Sequence, residues 1–216
     1  MSSGLFGALA AAAVTVGSLH TLAPDHWVPF AALARARGWS AGRTARITVA
    51  CGFGHVTVSA LLGFAGLFLG LEMVKALGQR MEAAAGVLLV GFGLVYGVWG
   101  LRRAAGRKLH GHTHSHYDHV HEDSGASAWT LFLLFSADPC VAVIPLLFAA
   151  APLGAARTSG IVLLYEMATI GTMVALVLPA RAGARVLRAA WLDRYGDATA
   201  GGVIAAVGLV VTGLGW

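Results

Sequence analysis

The sequence predicts an all-α integral membrane protein, with six transmembrane helices arranged as two inverted three-helix repeats whose first and fourth helices are broken. Three observations predict it. The chain is 57% hydrophobic and only 12% charged over 216 residues, with a mean hydropathy of +0.74, whereas a soluble domain is roughly a quarter charged. The arginines flank apolar runs instead of mixing with them. A stretch near residue 41 recurs near residue 155, and each copy follows an Asp-plus-Pro interruption of an apolar run. The net charge of +5 and pI near 9.8 are therefore read as topology signals, not as a nucleic-acid footprint.

The first span covers residues 4–33. It holds no Lys or Arg, and Asp25 is its only charge. An unbroken helix of that length would be about 45 Å long, against a hydrocarbon core of ~30 Å. Pro24 lacks an N–H and disfavours helix at Ala23, so the span breaks there. The second span, residues 46–71, carries Cys51 and His55, and the third, 83–101, is uncharged and Gly-rich. A polar linker at 102–127 separates the repeats, which occupy 1–101 and 128–216. The fourth span, 128–151, contains Ser136-Ala137-Asp138-Pro139-Cys140 and breaks at Pro139. The fifth, 160–180, contains Glu166, and the sixth is 198–216. The start at Met1 has no basic stretch, so a cleaved signal peptide is not expected. Cys51 and Cys140 both fall within spans, which does not suggest a disulfide framework.

Twelve of the fifteen basic residues fall in alternate loops: Arg35, Arg37, Arg43 and Arg46; Arg102, Arg103, Arg107 and Lys108; Arg181, Arg185, Arg188 and Arg194. Only Lys75, Arg80 and Arg157 lie on the other side. The positive-inside rule puts the three basic loops in the cytoplasm, both termini outside, and the chain in a cell inner membrane. The repeat has an offset of 114: Ala41-Gly42-Arg43-Thr44 stands over Ala155-Ala156-Arg157-Thr158, and His26 over Cys140. Gly93 and Gly100 match Gly208 and Gly215 at an offset of 115. Three spans per repeat force opposite orientations, the design in which transporters bind at the repeat interface.

Ionisable groups at membrane depth mark substrate or ion pathways. His20, Asp25 and His26 put two imidazoles and a carboxylate at the first break, a donor set suited to zinc, copper, iron and nickel. The alternative is a pair of core histidines bonding the carbonyls freed by a kink, with Asp25 as a helix N-cap. His55 lies four residues after Cys51 on one helix face and is either a ligand or a packed core histidine. Gly52 and Gly54 beside it allow close helix approach. Asp138 and Cys140 at the second break could complete a coordination shell, or Cys140 could be a small core residue. Glu166 is a ligand, a proton carrier or the partner of an arginine. His110, His112, His114, His116, His119 and His121 make the linker a metal-binding composition, although a soluble linker would also read this way. No Gly-rich nucleotide loop occurs, so transport driven by ATP within this chain is not expected.

The pattern His-x4-Asp-His, here His20 to Asp25-His26, resembles the signature of the nickel/cobalt transporter family, part of a larger group that includes the cytochrome-biogenesis thiol transporters and sulfite exporters. In its local form, His-x3-Pro-Asp-His, it is similar to the urease-accessory-type members. The resemblance implies that His20, Asp25 and His26 bind the transported cation, and His55 is similar to the family's second-span histidine. The His-rich linker and the six-span layout resemble the efflux members, so the direction of transport stays open.

These readings make the chain a transporter, not an enzyme. It would carry Ni²⁺ or Co²⁺, with Zn²⁺ and Fe²⁺ accepting the same donors, and the linker would capture metal. Its partners would be the ion, the lipid bilayer, a second copy of the chain or a cytoplasmic metallochaperone, with no nucleic acid. The rivals are a thiol–disulfide electron carrier, a metal-delivery accessory protein, and an exporter of a small organic or sulfur-containing anion. Under the 114 offset Cys51 maps to Tyr165 and Cys140 to His26, so the thiols are not a symmetric redox pair.

Overall fold

The computed structural model describes residues 2–106, 126–186 and 190–214, and every regular element among them is helical. In chain order these are α1 (Ser2–His20), α2 (Val28–Ala36), α3 (Ala41–Leu69), α4 (Leu71–Gly106), α5 (Ala126–Ala137), α6 (Val143–Ala150), α7 (Ala155–Val186) and α8 (Ala190–Leu214). Short 3-10 turns at Pro24–His26 and Ala151–Leu153 complete them. Five helices are long and apolar enough to cross a membrane: Ser3–His20, Ala41–Leu69, Leu71–Gly106, Ala155–Gly183 and Arg194–Gly213. Their outward faces carry exposed Leu61, Leu94, Val95, Leu163 and Leu209, as a lipid-facing surface would.

The break expected at Pro139 is present: the fourth apolar run is two helices, α5 and α6, separated by a non-helical stretch at 138–142. Among the described residues neither reaches the length of a span, since Pro139 stops the first and a new helix begins only at Val143. One expectation changes. The polar stretch 72–82, read as a loop before the third span, is the first three turns of α4. Good helix formers fill it, and Lys75 pairs with Glu72 one turn away at 3.5 Å. The 36 residues of α4 give a rod of about 54 Å, which must project beyond a ~30 Å core. Gly70, at φ 93°, makes the turn that separates α3 from α4.

Helices of the first half pack on helices of the second. α4 lies antiparallel against α8, and glycines let the backbones touch: a Cβ on Gly93 would come 2.7 Å from the Gly201 oxygen, and one on Gly208 would come 2.9 Å from the Gly86 oxygen. α1 packs on α7, where a Cβ on Gly17 would meet the Tyr165 oxygen at 3.0 Å. α3 packs between α5 and α7, with Gly54 against Ser136 and Phe132, and Gly52 against Ile170 and Met173. Two apolar clusters result: one around Phe30, Leu33, Cys51, Phe135 and Met173, the other around Val56, Cys140, Ile144 and Tyr165.

The ends of α2, α4, α7 and α8 meet in a polar layer. The Asp197 carboxylate accepts from the Tyr96 hydroxyl at 2.7 Å and from Arg103 at 3.1 Å, with Arg37 Nε at 3.8 Å. Arg37 also stacks over Tyr96 and Trp99. Arg181 donates to the Trp39 carbonyl, and Arg194 to the Ala104 carbonyl at 3.3 Å. Arginines from all three basic loops thus gather at one end. Arg107, Lys108, Arg188 and all six linker histidines, His110 to His121, lie outside the described residues.

Candidate metal centre

α1 ends at His20 because the chain tightens there before the proline. Leu22 N–H donates to the Leu19 oxygen and Ala23 N–H to the His20 oxygen, both at 3.1 Å. Ala23 is extended (φ −55°, ψ 134°), as a residue before proline prefers. Pro24 then opens the 3-10 turn, and α2 starts after Trp27. The carbonyls freed by the break find other donors: Trp27 Nε1 reaches the Leu22 oxygen at 3.2 Å, and Thr21 Oγ1 the Gly17 oxygen at 2.6 Å. The histidines are therefore not consumed in repairing the kink. Nor does Asp25 cap a helix. Its Oδ1 accepts from His26 Nδ1 at 2.9 Å, and both side chains are buried.

His55 comes to the same place from α3, where its Nδ1 donates to the Phe135 carbonyl at 3.2 Å. A carbonyl or carboxylate can only accept, so Nδ1 carries the proton in both His55 and His26. Each then turns a lone pair outward on Nε2. Those two atoms and Nε2 of His20 are buried with no hydrogen-bond partner among the described residues. The rings are close: centroids are 4.4 Å apart for His20–His26, 5.2 Å for His26–His55 and 6.4 Å for His20–His55. A buried polar atom without a partner costs stability, and three together need a common explanation.

Cys140 brings a thiol from the second break. Its backbone N–H donates to Ser59 Oγ at 2.6 Å, and Ser59 in turn donates to the His55 oxygen at 2.6 Å. Its Sγ lies 2.7 Å from the Tyr165 hydroxyl. Ligand atoms of His20, His55 and Cys140 all fall within 4.8 Å of one another. That set spans α1, α3 and the break between α5 and α6, so both breaks and the second span converge.

The other candidates are placed differently. His26 lies among the rings but outside the 4.8 Å set, and Asp25 stands behind it as its hydrogen-bond partner. Asp138 is half-buried and, with Asp25, lines a small cavity of about 20 Å³, enough for one water. Glu166 is half-buried on α7, and its Oε1 has no partner among the described residues, but it does not join the cluster. Cys51 belongs to the other apolar cluster, apart from Cys140. Sequence reasoning missed three residues. Ser59 ties the second break to α3, and a signal existed, since it follows His55 by one helical turn. Tyr165 holds the Cys140 sulfur and gave no signal beyond being polar inside a span. Glu82 on α4 lies within electrostatic reach of Asp25 and Asp138, and was hidden in a stretch read as loop.

Comparison with family models, with curated proteins and with solved structures finds no match to this chain.

Proposed function

We propose that this protein is a membrane transporter of divalent transition-metal cations, nickel or cobalt first among them, working by alternating access between two inverted repeats. One observation carries the reading: ligand atoms of His20, His55 and Cys140 lie within 4.8 Å of one another where two helix breaks converge, and the Nε2 atoms of His20, His55 and the neighbouring His26 are buried without partners among the described residues. Imidazole and thiolate together suit first-row transition metals and reject Mg²⁺ or Ca²⁺. A metal-binding imidazole ordinarily donates its second N–H to a carboxylate or carbonyl, and His26 and His55 are held in this way. The ion would be cargo, taken by His20, His55 and Cys140 with His26 adjusting, while Asp25 offsets its charge from behind.

The packing supports the inverted repeat. At the 114 offset the α1–α7 contact exchanges with α3–α5, and α4 exchanges with α8. At 115 the Gly93–Gly201 contact becomes Gly208–Gly86. Thr44 bonds the Ser40 carbonyl as Thr158 bonds that of Gly154, again 114 apart. Rocking of one repeat on the other would open the site to each side in turn. Protons compete with metal for these ligands, so a proton gradient could drive release, with Asp138, Glu82 and Glu166 as candidate carriers. The gathering of arginines at one end supports placing that end in the cytoplasm, where residues 110–121 would capture metal. The separation of Cys51 from Cys140 disfavours the thiol–disulfide carrier.

The test is metal flux in proteoliposomes across a panel of Ni²⁺, Co²⁺, Zn²⁺ and Fe²⁺. His20→Ala and His55→Ala should abolish flux while the purified protein keeps its helical content. Wild-type flux in both variants would overturn the reading.

A further inference from the structure

A large cavity lies apart from the histidines, none of which line it. A groove of about 910 Å³ runs between α2, the last turns of α4 and the start of α8, within the range of a ligand site. Its walls are apolar and small: Val28, Ala31, Ala32, Val203 and Ala206 line it, with Trp27 at the end nearer the helix break. At the other end stand Arg35, Arg103 and Arg194, with Asp197 as the acidic lining residue. Three guanidiniums against one carboxylate repel a divalent cation, so the groove is no entry path for metal. Asp197 is already shared by Arg103, Arg37 and Tyr96.

An apolar slot of this kind, opening along membrane-spanning helices and ending in cationic side chains, has the charge and shape of one ligand class. We propose that it binds an anionic phospholipid. The phosphate would lie among Arg35, Arg103 and Arg194, and an acyl chain would run along α2 and α8 toward Trp27. The nine residues of α2 supply a wall of about 14 Å. Basic pockets between spans are the usual recognition element for anionic headgroups. The lipid would brace α2, the half-helix that follows the first break, against α4 and α8. The assignment does not depend on what the histidine cluster carries.

The test uses full-length protein, stripped of lipid in mild detergent and titrated with dioleoylphosphatidylglycerol or dioleoylphosphatidylcholine, bound lipid being read by native mass spectrometry. The two share their tails and differ in charge. Phosphatidylglycerol should be retained preferentially, by roughly tenfold or more given three arginines near one phosphate. Arg35→Gln with Arg194→Gln should erase the preference. Gly202→Leu tests the slot without touching charge, because a Cβ at Gly202 meets nothing within 4 Å. It should abolish retention and leave the lipid-free Tm unchanged. Equal retention of both lipids, wild-type retention in Gly202→Leu, or displacement by glycerol phosphate as effective as by lipid would overturn the proposal. So would binding seen only after deletion of residues 107–125, since the groove's occupant would then be the chain itself.

Discussion

A carbonyl oxygen only accepts hydrogen bonds, and that constraint decides how His55 is used. Its Nδ1 is committed to Phe135 and its Nε2 is left with a lone pair. His26 is set in the same way by Asp25, so in the proposed site Asp25 would act by orientation and charge. Asp25→Asn should keep the fold and lower metal affinity about 10–100-fold, the usual cost of losing such a partner; calorimetric titration with Ni²⁺ measures it, and unchanged affinity would remove Asp25 from the site. Protonated imidazole has no lone pair, so metal retention should fall as the solution is acidified. An equilibrium dialysis series in pH reads this, and flat retention would count against imidazole ligation. Ser59→Ala leaves the buried Cys140 N–H without its acceptor, which should cost about 1–3 kcal/mol, seen as a lowered Tm. Pro24, Asp25 and the three histidines were legible as residues that do not belong in lipid. Which nitrogen faces the site was not legible, because it depends on Phe135, eighty positions from His55.

Among the elements, the α4–α8 pair shows best how small residues specify packing. Helix association in lipid gains nothing from hydrophobic transfer, so close backbone contact must supply it. Gly201 touches the Gly97 backbone, while its neighbour Gly202 has open space. Gly201→Ala should therefore destabilise by about 1–3 kcal/mol through overpacking, and Gly202→Ala should not; thermal denaturation in detergent separates them. Equal effects would mean that the contact is not tight in the folded protein. The broken fourth run was partly legible. Pro139 marked the break, but not the loss of span length, since hydropathy counts residues and not how many stay helical across a proline. The long start of α4 was missed for the opposite reason: polar residues at a helix end resemble a loop when only hydropathy is read.

At the scale of the whole molecule, the asymmetric placement of arginines became a physical layer. Arg37, Arg103 and Arg194 meet around the helix ends near Asp197, far in sequence and together in space. If this end is cytoplasmic and the adjoining residues 110–121 only capture metal, deleting them should leave basal flux intact while lowering uptake or release at limiting metal. Complete loss of flux in the deletion would favour the accessory-protein reading. The contacts between the two halves of the chain also predict that the halves do not fold alone, because α1 lacks α7 and α4 lacks α8 when they are separated.

By itself the sequence determined apolar helices long enough to span a membrane, the two helix breaks and the residue types that could hold a transition metal, because hydropathy, proline and charge act locally along a chain. Only the tertiary structure decided that His20, His55 and Cys140 share one small volume, that Asp25 bonds His26, and that Ser59 holds the Cys140 backbone while Tyr165 holds its thiol. Those facts come from helices crossing at glycine contacts. Such crossings join positions a hundred residues apart, at distances that no local pattern encodes.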